Sequence, residues 1–105
     1  MTDLKQYLIH ISDTARQMLA SHAAFLDQVS EEASDRLVIS FIEATDSLET
    51  LPERCPLYKG NYVPHNVYRQ LLFEDRYALI FQVNENVVSV DYVIDCRQDY
   101  AWLFR

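Results

Sequence analysis

Val67-Tyr-Arg-Gln-Leu-Leu-Phe73, Tyr77-Ala-Leu-Ile-Phe-Gln-Val83 and Val87-Val-Ser-Val-Asp-Tyr-Val-Ile-Asp95 are strand-like runs, parted by Glu74-Asp75 and by Asn84-Glu85-Asn86. Each run is rich in β-branched and aromatic residues, and the polar interruptions have the length and residue types of hairpin turns, so the three are expected to form one antiparallel meander. Tyr68, Arg69, Arg76, Tyr77 and Tyr92, with Arg97 and Tyr100 just beyond, recur through this region more often than an ordinary core requires. The meander is therefore the candidate working surface.

Working back towards the N-terminus, Leu4–Ile11 alternates, with Tyr7, Ile9 and Ile11 on one face and Leu8 and His10 on the other, as a strand does. Ser12-Asp13 supplies an N-cap and a first-turn acid. Ala15, Met18, Leu19, His22, Leu26 and Val29 then recur at helical steps. Ser30-Glu31-Glu32 opens a second helix by the same chemistry, with the stripe Ala33, Leu37, Phe41, Ala44 and Leu48, and Pro52 and Pro56 are expected to stop it. So short a junction predicts a helical hairpin whose two apolar stripes are buried together on the sheet. Residues 52–66 hold all three prolines and the only glycine, and form the one long loop, a feature more often functional than accidental. After the meander, Asp95 and Gln98 have capping-box spacing for a short terminal helix, in which Arg97 would oppose the helix dipole. The expected fold is α+β over a single domain, residues 1–105, with an N-terminal strand and helical hairpin packed on a small antiparallel β-sheet.

At 105 residues the chain has room for one modest core. Cys55 and Cys96 lie far apart with no C-x-x-C and no neighbouring histidine, so neither a zinc site nor a disulfide scaffold is indicated. His10, His22 and His65 lack ligand spacing, and no metal or cofactor is expected. Nor is a small-molecule substrate. The start lacks the basic and apolar regions of a signal peptide and no segment is long enough to cross a bilayer, which predicts a cytoplasmic protein without a membrane partner. The net charge of −7 argues against general nucleic-acid binding. It is unevenly spread: residues 1–50 carry three basic against nine acidic side chains, residues 51–105 six against seven. Arg54, Lys59, Arg69 and Arg76 face only Glu74 and Asp75 between them, a mildly basic stretch joined to an acidic helical half.

In this order of elements the chain resembles the RelE/ParE superfamily of bacterial toxins from type II toxin–antitoxin pairs. The resemblance rests on the strand and helical hairpin, on Ser47-Leu48 followed by Leu51-Pro52 and Pro56, on Tyr68-Arg69-Gln-Leu-Leu, on Arg76-Tyr77-Ala-Leu-Ile-Phe-Gln-Val, and on Val93-Ile-Asp-Cys-Arg97-Gln-Asp-Tyr100. It implies a toxin that inhibits growth, stabilises plasmids and is neutralised by a cognate antitoxin, and it leaves two mechanisms open. RelE-like members cleave messenger RNA on the ribosome, where a 2′-hydroxyl attacks the adjacent phosphate. That chemistry needs cations on the phosphoryl oxygens and groups that take and give protons. Arg69, Arg97 and Tyr100 are of the right types for a catalytic set, with Arg76, Tyr77, His65 and Lys59 as RNA or target contacts. ParE-like members inhibit DNA gyrase by binding, without catalysis. The acidic charge, Ala78 after the central-strand tyrosine and the lack of a histidine beside Arg97 depart from the nuclease pattern and lean towards inhibition by binding. The other class of reading is a toxin-like module that has lost toxicity and only binds a protein.

Each candidate has a structural reading as well. Arg69 could pair with Glu74, Asp75 or Asp91, and Arg97 with Asp95 or Asp99. Tyr77 and Tyr92 alternate with aliphatic neighbours as packing residues do, Tyr100 could cap the core, and His65 could be an ordinary loop residue. Asp91, Asp95 and Asp99 read as solvated or paired rather than as a catalytic carboxylate set.

Overall fold

The computed structural model describes residues 6–60, 63–64 and 66–97. The elements run β1 (Leu8–Ile11), α1 (Asp13–Asp27), α2 (Glu31–Ser47), a single 3-10 turn (Pro52–Arg54), β2 (Arg69–Phe73), β3 (Tyr77–Asn84) and β4 (Val87–Asp95). The four strands form one sheet in the order β1-β4-β3-β2. The meander is antiparallel as expected. The sheet as a whole is mixed, because β1 lies parallel to β4, from Leu8 opposite Val87 to Ile11 opposite Val90. Parallel neighbours need a long crossover, and the helical hairpin is part of it.

Both helices start on the serines that the sequence offers. Ser12 Oγ accepts from the Ala15 amide at 3.0 Å and Ser30 Oγ from the Ala33 amide at 3.1 Å, each satisfying an amide that the first turn leaves free. Val29 lies past the end of α1 and is exposed, so it is a turn residue and not the last member of the stripe. The second helix ends at Ser47, ahead of either proline. There the Arg54 guanidinium returns to donate to the carbonyls of Ser47, Thr50 and Leu51 at 3.3, 2.9 and 3.0 Å and to Ser47 Oγ at 3.1 Å. A cation at this end also suits the helix dipole. Leu51, at φ 49°, turns the chain into Pro52.

The helices cover one face of the sheet. Ala15, Leu37, Phe41 and Leu48 pack there against Leu79, Phe81, Val88, Val90 and Val93. Burial of each large apolar side chain contributes roughly 1.5–3 kcal/mol, so this face dominates stability. Both hairpins are made without glycine: Glu74 and Asp75 adopt φ of 47° and 64°, and Glu85 of 55°. Glu74 is held in place by the Ser40 hydroxyl, which donates to it at 2.7 Å, and by Arg36 at 3.8 Å.

The opposite face has no helix. Ala78, Ile80 and Ile94 are nevertheless buried, beneath Tyr58, Tyr68 and Tyr92. Tyr58 arrives there because the loop after the 3-10 turn runs along the outer edge of β2: the Gln70 amide donates to the Pro56 carbonyl at 3.0 Å and the Tyr58 amide to the Tyr68 carbonyl at 2.8 Å. Pairing of this kind protects an edge strand. Gly60 lets the tip of the Tyr58 ring lie against the backbone, and a Cβ there would make the ring shift.

Candidate functional site

Arg69, at the start of β2, meets none of the acids that the sequence offered it. Its guanidinium donates to the carbonyls of Cys55 at 2.7 Å and Glu53 at 3.2 Å, which pins the loop to the sheet. Charge-assisted bonds to carbonyls are stronger than neutral ones. Burial pushes the Cys55 thiol pKa up, against the opposing pull of Arg54 and Arg69.

Arg97, just past β4, pairs with Asp95. The guanidinium is bidentate, Nε to Oδ1 at 3.2 Å and Nη2 to Oδ2 at 3.1 Å, and the Arg97 amide also donates to Oδ1 at 3.0 Å. The two partners differ in setting: the Asp95 side chain is 7% exposed and that of Arg97 60%. Burial alone would raise the Asp95 carboxyl pKa, but the hydrogen bonds from Arg97 and the nearby charges of Arg97 and His22 hold it below the usual carboxylate range. The His22 ring reaches the same end of β4, where its Nε2–H donates to the Val93 carbonyl at 2.9 Å and its centroid lies 5.2 Å from that of Tyr77.

Tyr77 is a core residue. It is 3% exposed and packs its ring against His22 and Phe73. Arg76 stacks its guanidinium over the Tyr77 ring at 5.8 Å, and its carbonyl accepts from the Cys96 amide at 2.8 Å. Lys59 is exposed on the loop. His65 and Tyr100 lie outside the described residues, as does Gln98 of the expected capping box.

The candidate cations thus fall into two groups. Arg69 sits opposite Phe81, and Asp95, which holds Arg97, sits opposite Tyr77. Phe81 and Tyr77 are four residues apart on β3, roughly 13 Å. Arg76 joins Arg97 at one end, while Arg69 and Arg54 lie at the other. Held by their present partners, Arg69 and Arg97 do not converge on one phosphate group.

A polar cluster whose members the sequence names separately, but does not bring together, lies on the helix-free face. The pairing of β3 with β4 runs Phe81 to Val90 and Ile80 to Tyr92, which leaves Asp91 as the extra residue of a β-bulge. Its carbonyl accepts from the Ser12 hydroxyl at 3.0 Å. Its Oδ2 accepts from the Tyr68 hydroxyl and from Gln82 Nε2, both at 2.9 Å. The Tyr68 and Tyr92 rings lie 6.0 Å apart, tilted by 54°. Burial, followed by the bond to Asp91, raises the Tyr68 phenol far above its ordinary value. Among the described residues, no three His, Cys, Asp or Glu side chains are grouped so as to hold a metal ion, and no helix is long and apolar enough to cross a membrane.

Neither a protein-family model nor a curated protein matches the chain. A solved structure does: a chain from the chromosomal ParDE TA system from P. aeruginosa superposes with a TM-score of 0.70 at 14% identity, over 87% of this chain and 97% of that one. The likeness is one of fold. It agrees with the α+β architecture of two helices on a four-stranded mixed sheet.

Proposed function

We propose that the protein is the toxin of a type II toxin–antitoxin pair, that it arrests growth in the cytoplasm by binding DNA gyrase, and that an antitoxin neutralises it. The observation that carries the pairing is the fold match over nearly the whole of both chains to a ParDE system. Support for binding over RNA cleavage comes from the arginines. Arg69 is occupied by loop carbonyls and Arg97 by Asp95, and the two are held at different ends of the sheet. In-line attack by a 2′-hydroxyl needs cations gathered on one phosphoryl group. A binder needs only surface. Ile39 and Ile42, one helical step apart on the outer side of α2, are 57% and 51% exposed and offer apolar area to a partner. On this reading Arg97, Arg76 and Lys59 are target contacts. Arg69 is a positioning residue that fixes the loop bearing Lys59.

The test is made with purified protein in two assays, supercoiling by DNA gyrase and cleavage of messenger RNA on programmed ribosomes. Inhibition of supercoiling with intact message is the expected result. Cleavage of message with normal supercoiling would overturn the mechanism, and inactivity in both would favour a non-toxic binding module.

A further inference from the structure

The outer side of α2 carries apolar surface that neither the core nor the helix requires. We infer that it is the docking site of a basic amphipathic helix presented by a protein partner, with Ile39 and Ile42 as the apolar ridge and the carboxylates of Asp35, Glu43 and Asp46 as the rim that meets the partner's lysines and arginines. The inference rests on the reading of the chain as a protein binder and adds the chemistry of one partner segment.

Three observations lead to it. First, Leu37 and Phe41 turn the inner side of α2 into the core, while Ile39 and Ile42 are left 57% and 51% exposed. A β-branched side chain in a helix costs stability relative to alanine, and one standing in water regains none of it by burial. The two isoleucines are three residues apart and so form one ridge along the helix, a shape that the groove of a second helix receives. Second, the ridge is framed by anions. Helix α2 holds five carboxylates, Glu31, Glu32, Asp35, Glu43 and Asp46, against one cation, Arg36, which reaches Glu74 at 3.8 Å. Asp35 and Glu43 lie one helical turn before and after Ile39, Asp46 lies one turn after Ile42, and all three are exposed. None of the five is in an ion pair with a described residue. Third, the arrangement is unfavourable to the free protein. Glu31 and Asp35 are like charges one turn apart, and Asp46 stands in the last turn, where the helix dipole disfavours an anion. A cationic helix laid on the ridge relieves both and buries both isoleucines. The same charge decides against a second copy of the chain, which would set like carboxylates against each other.

The experiment is an NMR titration of the isotopically labelled full-length protein with three synthetic peptides of equal length: a Leu/Lys peptide with its leucines at helical spacing, a Leu/Glu peptide with the same spacing, and a Leu/Lys peptide whose leucines alternate. The helical Leu/Lys peptide is expected to shift the resonances of Ile39, Ile42, Asp35, Glu43 and Asp46 together along one saturable curve. The alternating peptide should bind about tenfold more weakly or worse, and the Leu/Glu peptide not at all. In the double variant Ile39→Ala/Ile42→Ala both replaced side chains are exposed and alanine is the better helix former, so the spectrum should show an intact fold with affinity for the helical Leu/Lys peptide lowered about tenfold or more. The triple variant Asp35→Asn/Glu43→Gln/Asp46→Asn should bind more weakly and lose most of the salt dependence. Full affinity in the isoleucine double variant, shifts spread evenly to Asp13 and Asp27 of α1, equal binding of the Leu/Glu peptide, or a protein that sediments alone as a dimer which the isoleucine double variant dissociates would each overturn the inference. The titration reads the site directly, so peptide binding by a protein that leaves gyrase supercoiling untouched would count against the gyrase reading alone, and inhibition of gyrase without peptide binding against the site alone.

Discussion

Arg69→Met separates a pin from a catalytic cation. Methionine keeps much of the aliphatic stem and loses both bonds, to the Cys55 carbonyl at 2.7 Å and the Glu53 carbonyl at 3.2 Å. The first is part-buried and short, and a bond from a charged donor in that setting contributes about 1.5 kcal/mol. The second is exposed and longer, and adds about 0.5 kcal/mol. The backbone bonds from Gln70 to Pro56 and from Tyr58 to Tyr68 remain, so the loop loosens without leaving the sheet. Urea unfolding should therefore show a loss of about 2 kcal/mol, and the melting temperature should fall by about 10 °C. Arg69→Lys, which can reach one carbonyl, should recover roughly half of the loss. Growth arrest should weaken only in proportion to the folded fraction at the growth temperature. An Arg69→Met variant with unchanged stability and no growth arrest would refute the reasoning and return Arg69 to the list of groups that touch the target.

Asp75 is exposed at φ 64°, where an L-residue is strained by about 1–2 kcal/mol and glycine is not, while glycine loses more chain entropy; Asp75→Gly should stabilise the protein by about 0.5 kcal/mol in urea unfolding. The Asp95 carboxyl pKa is depressed in the folded state, so the stability it contributes is present above the ordinary carboxylate range and is lost as pH falls below about 4. In a pH series of melting temperatures, Asp95→Asn should flatten that acid limb, and an unchanged limb would mean that another group causes it. Arg97→Ala removes an exposed cation and also strips both side-chain bonds from the buried Asp95 carboxylate, leaving only the backbone bond, so the melting temperature should fall modestly while growth arrest falls further than the folded fraction explains; arrest that merely tracks the folded fraction would make Arg97 structural.

Much of the fold was legible because its signals are local. Ser12 and Ser30 cap the helices where the residue types said they would, and the three runs of the meander became β2, β3 and β4 with the expected turns. The site was legible only in part. For Arg69 the sequence offers a catalytic role or a pair with Glu74, Asp75 or Asp91, but its partners are backbone carbonyls of residues 53 and 55, and carbonyls leave no mark in a sequence. The Arg97–Asp95 pair was among the readings offered, because two residues of separation bring them together locally. Asp91 reads from sequence as a solvated or paired acid, and its hydrogen bonds to Tyr68 and Gln82 could not be foreseen because they depend on a bulge between Ile80 and Phe81. The parallel pairing of β1 likewise depends on where the helical hairpin returns the chain, which residue types alone do not state.

The most direct test of growth arrest by binding gyrase is pulse labelling of cells just after induction of the protein without its antitoxin, with thymidine and an amino acid followed in parallel. Thymidine incorporation should fall first, with amino-acid incorporation following later. Amino-acid incorporation failing first would contradict the account and place the action on the ribosome.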